Sequence, residues 1–164
     1  MKIAGVIPSR WGSTRFPGKS LAILSGKPMI QWVVERVRQA KKLDAVMVAT
    51  DDSRIADCVE ALGLPGVQVA MTRSDHPTGT DRIAEAIETL DVDAVINVQG
   101  DEPLIPPAVI DQVAALLAAD AAAGMATLMT PLAAEAEFTD PNMAKVVASR
   151  DGAAIYFSRA PIPA

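Results

Sequence analysis

Short apolar runs alternate along the chain with stretches of helical periodicity, and this alternation predicts a parallel sheet covered by helices. The first run, Lys2 to Pro8, reads as a strand. Ile30, Val33, Val34 and Val37 then recur at i, i+3, i+4 and i+7, which predicts a helix from Pro28 to about Leu43 with the proline in its first turn. Ala45 to Ala49 reads as a buried strand. Asp51 or Asp52 can cap the next helix, whose Ile55, Val59 and Leu62 share one face up to Gly63. Val67 to Met71 is a third strand, about Gly79 to Leu90 a helix, and Asp93 to Val98 a fourth strand. After the loop Gln99 to Ile105, two prolines and the spacing Val109, Val113, Leu116 and Leu117 mark a further helix, continued by alanine-rich sequence to Gly124.

Beyond Met125 the alternation weakens. The expected order is a strand to Thr130, a polar segment around Phe138 to Asn142, then strands Lys145 to Ala148 and Ala154 to Phe157 joined by a hairpin turn at Asp151-Gly152. No internal repeat or clear domain boundary is visible, so residues 1–164 read as a single domain.

Composition narrows the classes. Half of the 164 residues are apolar and 21% are charged, as in compact globular proteins. The formal charge of -5 argues against a broad nucleic-acid surface, which needs massed Lys and Arg. Cys58 is the single cysteine, so neither an intrachain disulfide nor a cysteine-based zinc site is expected. The N-terminal apolar run is too short for a secretory core, and nothing approaches the ~20 apolar residues of a membrane span. A cytoplasmic protein without a membrane partner is expected.

Two loops carry candidate chemistry. Residues 9–20 read SRWGSTRFPGKS, at the carboxyl end of the first strand, where open α/β sheets bind ligands. Gly12 and Gly18 allow close backbone approach, Ser13 and Thr14 offer hydroxyls, and Arg10, Arg15 and Lys19 supply charge-assisted hydrogen bonds to polyphosphate oxygens. Gly18-Lys19-Ser20 does not complete a Walker A loop: five residues rather than four separate Gly12 from Gly18, and Pro17 removes a backbone donor. The bland alternative is a solvated basic loop, but three cations without a carboxylate are poorly explained by surface pairing.

The second loop is Gln99-Gly100-Asp101-Glu102-Pro103, after the fourth strand. Mg2+ commonly takes one or two protein carboxylates together with substrate phosphates, so Asp101 is a candidate ligand and Gln99 a candidate partner for a hydroxyl-bearing substrate. An acidic turn before proline would account for the same residues, and the facing basic loop favours the functional reading. Between these loops, Thr78 or Thr80 can cap a helix whose N-terminus suits an anion or a base carbonyl. His76, the lone histidine, is not expected to act as a general base.

Together these segments resemble the Kdo (3-deoxy-manno-octulosonate) cytidylyltransferases over almost the whole chain. The resemblance is carried by Ile7-Pro8-Ser9-Arg10, Ser13-Thr14-Arg15-Phe16-Pro17-Gly18-Lys19, Gly26-Lys27-Pro28-Met29-Ile30 and Val48-Ala49-Thr50-Asp51. It continues in Met71-Thr72-Arg73 with Asp75-His76, in Gly79-Thr80, in Asn97-Val98-Gln99-Gly100-Asp101-Glu102-Pro103 and in Tyr156-Phe157-Ser158-Arg159. It implies a Rossmann-like α/β nucleotidyltransferase fold, a mainly parallel sheet with helices on both faces. It also implies CTP and Kdo as substrates, Mg2+ as cofactor, CMP-Kdo for lipopolysaccharide synthesis as product, and a homodimer when full length. By the same resemblance Arg10, Ser13, Arg15 and Lys19 hold the triphosphate, Arg73 and Thr78 the nucleoside side, Asp101 the metal, and Gln99 and Arg159 the sugar acid. Arg10, Lys19 and Asp101 then carry catalysis by positioning and charge neutralisation.

Thr78 and Asp81 depart from the family's usual Ser and Glu. Family members also continue past the position of Ala164, into a region that resembles the home of further Kdo-binding residues, a second metal carboxylate and part of the dimer contact. The alternatives are a cytidylyltransferase for another sugar acid, such as a sialic acid, and a CTP-binding fragment without activity.

Overall fold

The computed structural model describes residues 1–12 and 16–163. They form two compact units, 1–126 and 127–164, each described by itself. The first unit is built on β1 (Ile3–Ser9), β4 (Ala45–Thr50), β5 (Val67–Met71) and β6 (Ala94–Asn97), all parallel, in the order β5-β4-β1-β6. Every residue of β1 except Pro8 is buried, as a central parallel strand requires.

Alternation along β1 sends its side chains to two separate cores. Ile3 and Ile7 join Ile30, Val33, Val34 and Val37 of α1 (Met29–Val37), Ile55 and Val59 of α2 (Ser53–Glu60), and Ile110 and Ala114 of α4 (Pro107–Ala119). Ala4 and Val6 pack on the opposite face with Met47, Ala49 and, from α3 (Gly79–Ala86), Ile83 and Ala86. Helices therefore cover both faces, in agreement with the predicted α/β class.

Two helices end earlier than their periodicity predicts, for tertiary and local reasons respectively. α1 stops at Val37 rather than near Leu43 because Asp111 Oδ1 accepts the amides of Lys41 (2.7 Å) and Lys42 (2.8 Å), drawing the chain off the helical path. α4 stops at Ala119 because the Asp120 carboxylate takes the amide of Ala122 at 2.9 Å, a turn that competes with the next helical bond. The third helix keeps its predicted extent with a tighter last turn, Ile87–Thr89 being 3-10. A small antiparallel pair, β2 (Ile23–Leu24) with β3 (Lys27–Pro28), precedes α1 and was not anticipated.

In the second unit, β7 (Lys145–Ala148) and β8 (Ala154–Ser158) pair antiparallel around a turn where Gly152 takes φ +91, as the Asp-Gly signal predicts. The expected strand from Met125 to Thr130 is not formed. Met125 and Met129 are exposed there, without the flanking strand that would bury such side chains. The five-residue α5 (Glu135–Thr139) was not anticipated and only overlaps the start of the polar segment read around Phe138 to Asn142.

Candidate functional site

The chain passes from β1 outward to β4 and β5, then returns to place β6 on the other side of β1. The strand order thus reverses between β1 and β6, and in open α/β sheets ligands bind at the carboxyl end of that crevice. A cleft of about 680 Å³ opens there. Pro8 and Ser9 line it from β1 and Arg10 from just after that strand, Gln99, Gly100 and Asp101 from the β6 loop, and Thr78 and Gly79 from the start of α3. Gly100 has no substitute at this point, because a Cβ on it would lie 2.8 Å from the Pro8 carbonyl oxygen.

Lys19 and Asp101, the principal cation and carboxylate predicted, meet across the cleft: Lys19 Nζ donates to Asp101 Oδ2 at 2.8 Å. Lys19 is set by a short 3-10 helix, Lys19–Leu21, whose Ser20 shares a buried 2.7 Å hydrogen bond with Ser9 at the end of β1. Both ion-pair partners keep about half their side-chain surface in water, so their attraction is weak in net terms and open to exchange for a ligand. Arg10 is exposed at the same mouth. Ser13 and Arg15 lie outside the described residues.

Thr78 caps α3, accepting the Asp81 amide at 3.1 Å, while its hydroxyl donates to the Asp81 carboxylate at 2.5 Å. The positive end of α3 thus borders the cleft. Gln99 lies in the lining and donates to Asn97 Oδ1 at 3.0 Å. Arg73 is not among the lining residues; it is exposed and pairs with Asp75 at 3.5 Å and Glu85 at 3.9 Å. Arg159 belongs to the second unit, where its guanidinium donates to the carbonyl oxygens of Pro141 and Asn142.

Below the mouth lies a buried network that the sequence did not disclose. Arg82, nearly inaccessible, donates through Nη2 to Asp51 Oδ2 at 2.9 Å and through Nη1 to the Thr72 hydroxyl. Thr72 donates in turn to the Thr50 carbonyl at 3.0 Å. Asp51 also accepts the Trp11 amide at 3.0 Å. His76, another lining residue, shares a hydrogen bond with Glu85, and this bond, with help from the Arg73 amide, holds the Glu85 carboxyl below its ordinary value. Among the described residues no three His, Cys, Asp or Glu side chains gather as a metal cage.

Comparison with known proteins agrees with this fold. The 3-deoxy-manno-octulosonate cytidylyltransferase of Syntrophotalea carbinolica is 56% identical over 163 residues, covering 99% of this chain and 64% of the relative. That of Cellvibrio japonicus is 53% identical over 161 residues, with 96% and 62% covered. The chain thus spans somewhat under two thirds of the length of these curated relatives. A solved CMP:2-keto-3-deoxy-manno-octonic acid synthetase complexed with CTP superposes with a TM-score of 0.89 at 40% identity, over 100% of this chain and 66% of that one. A cytidylyltransferase from Leptospira borgpetersenii follows at a TM-score of 0.62 and 28% identity, over 74% and 51%. A cytidylyltransferase family profile matches residues 4–164, nearly the full length, and by that match the chain belongs to the cytidylyltransferase family.

Proposed function

We propose that the protein transfers CMP from CTP to the anomeric hydroxyl of Kdo, releasing pyrophosphate, and that the chain described here supplies the nucleotide-binding half of the site. The observation that carries this reading is the cleft itself, with Lys19 opposite Asp101, in a chain that matches over its whole length a synthetase solved with CTP. In this reading Arg10 and Lys19, with Ser13 and Arg15, hold the triphosphate. Thr78, at the positive end of α3, and Arg73 serve the nucleoside side. Gln99 and Arg159 orient the sugar acid.

One exposed carboxylate facing a phosphate-binding lysine suits Mg2+, which usually draws its remaining ligands from substrate phosphates and water. Asp101 would hold that ion once Lys19 turns to the phosphates. When bound, Mg2+ supplies neutralisation of the charge on the phosphate oxygens. The anomeric oxygen bonds the α-phosphorus as the bridging oxygen departs with its electron pair in pyrophosphate, and the hydroxyl proton passes to water. Arg10 and Lys19 lower the barrier by fixing the triphosphate in line and by countering the charge that grows on the leaving group.

The full-length protein is proposed to act in the cytoplasm as a homodimer. Among the described residues, no helix is long and apolar enough to cross a membrane. Calorimetric titration with CTP, ATP, GTP and UTP in Mg2+ tests the nucleotide half: selective CTP binding is expected, and equal affinity for the four would sink it. Incubation of the full-length protein with CTP and either Kdo or N-acetylneuraminate tests the acceptor, with pyrophosphate release expected only with Kdo. A second reading concerns these 164 residues alone: since they span under two thirds of their relatives, they would bind CTP without releasing pyrophosphate.

A further inference from the structure

Trp11 does not line the cleft, yet it contacts Asp51, Gly18 and Arg54 beside it. Its amide donates to Asp51 Oδ1 at 3.0 Å, which ties the chain leaving β1 to the end of β4. Its carbonyl oxygen accepts the Gly18 amide at 3.0 Å, so residues 11 and 18 are joined directly. The ring packs against that same glycine. Gly18 has φ +68, and a Cβ on it would lie 2.7 Å from Cη2 and 2.9 Å from Cζ3 of the indole, so ring and glycine fit only together. The Arg54 guanidinium lies over the ring, 3.3 Å from its centroid, and is itself anchored by Asp52 through Nε at 2.8 Å and Nη2 at 2.6 Å.

The two ends held in this way are the immediate neighbours of the two cations at the cleft mouth: Arg10 precedes Trp11, and Lys19 follows Gly18. Any residue at position 11 could make the two backbone bonds; the ring adds the contact with a left-handed glycine on one side and the Arg54 guanidinium over it. We propose that Trp11 is the positioning residue of the two cations at the cleft mouth: clamped by Asp51, Arg54 and Gly18, it fixes Arg10 and Lys19 at their separation before the ligand arrives. The inference rests on the reading of the cleft as a triphosphate site. Cations set in place in advance spare the bound state the entropy of placing them, and the gain appears as affinity for the phosphates.

The test uses the full chain with inorganic triphosphate and Mg2+, beside CTP and cytidine. Trp11→Leu should weaken triphosphate about tenfold and leave cytidine within about twofold, whereas Trp11→Tyr, which keeps a ring for Arg54 and Gly18, should stay within about threefold of the parent. Arg54→Lys keeps the charge but loses the planar stack and should weaken triphosphate in the same direction. In a Trp32→Phe background, where Trp11 is the sole tryptophan, Arg54→Lys should also raise acrylamide quenching of the ligand-free protein. Parental triphosphate affinity in Trp11→Leu, or an equal loss for cytidine, would overturn the proposal. So would absence of triphosphate binding by the parent. If Trp11→Leu does not fold, Arg54→Lys decides: unchanged affinity and unchanged quenching refute the clamp. If the parent binds triphosphate but does not distinguish CTP from the other nucleotides, the cytidylyl reading fails while the Trp11 comparison still stands or falls on inorganic triphosphate.

Discussion

The floor and the mouth of the cleft both contain an ion pair, and the two pairs are built for opposite purposes. Arg82 and Asp51 are almost wholly inaccessible, with Thr72 and the Trp11 amide taking up further hydrogen-bonding capacity. Lys19 and Asp101 are joined at a similar distance but keep about half of their side chains in water. A buried pair is costly to break because the survivor remains desolvated and uncompensated. An exposed pair costs little to break and can trade partners. The floor therefore maintains shape, and the mouth is free to meet a ligand.

The largest effect should come from splitting the floor pair. Among the described residues, Arg82→Met leaves the buried Asp51 carboxylate with only the Trp11 amide, and a loss of about 3–5 kcal/mol is expected, a large part of a typical domain's stability. Urea denaturation reads this directly. Arg82→Met with Asp51→Asn should lose less than the two single changes added together, because the stranded charge is gone. Simple additivity would show that the two side chains act independently.

Lys19→Ala should reverse that profile. Its stability should stay within about 1 kcal/mol of the parent, while CTP binding falls about a hundredfold and cytidine binding hardly changes. If cytidine weakened as much as CTP, Lys19 would be supporting the fold and the contrast with Arg82 would collapse.

The same contrast explains what could be read from the sequence. Lys19, Arg10 and Asp101 were legible because each sits in a glycine-bearing loop directly after an apolar strand, a local signal. Arg82 and Asp51 were not. Arg82 reads as an ordinary charge in an amphipathic helix, and Asp51 as a competitor with Asp52 for a helix cap; their pairing spans 31 residues of sequence. Asp52 proves to be the cap, accepting the Arg54 amide, which releases Asp51 for the floor. The parallel strands were legible because each is a continuous apolar run. The run Met125 to Thr130 has the same composition, but a strand also needs a neighbour to pair with, and composition carries no information about that. α5 was missed because five residues give too little periodicity to detect.

Asp101→Asn sharpens the mouth side of the comparison. The amide still accepts a hydrogen bond from Lys19, so fold and cleft shape should persist, but it is a poor ligand for a hard cation. CTP affinity measured against Mg2+ concentration should lose most of its metal dependence, with a drop of about tenfold at saturating Mg2+. An unchanged metal titration would remove Asp101 from the metal's coordination and leave it as a counterion to Lys19.

The smallest effect lies at Glu85, which holds the lining residue His76. Its carboxyl is held below the ordinary 4.5, first by the hydrogen bond from His76 and then by the Arg73 amide and nearby positive charge. A carboxylate whose folded value is depressed stabilises the native state above its unfolded value, and that contribution is lost as pH falls through the lowered one. Glu85→Gln removes the titration. Unfolding free energy followed downward from about pH 5 should therefore fall less steeply in Glu85→Gln than in the parent, with the two curves differing most near neutrality. Parallel curves over the whole range would mean that His76 and Arg73 gain nothing from the charge on Glu85, and that this wall of the cleft is held by packing alone.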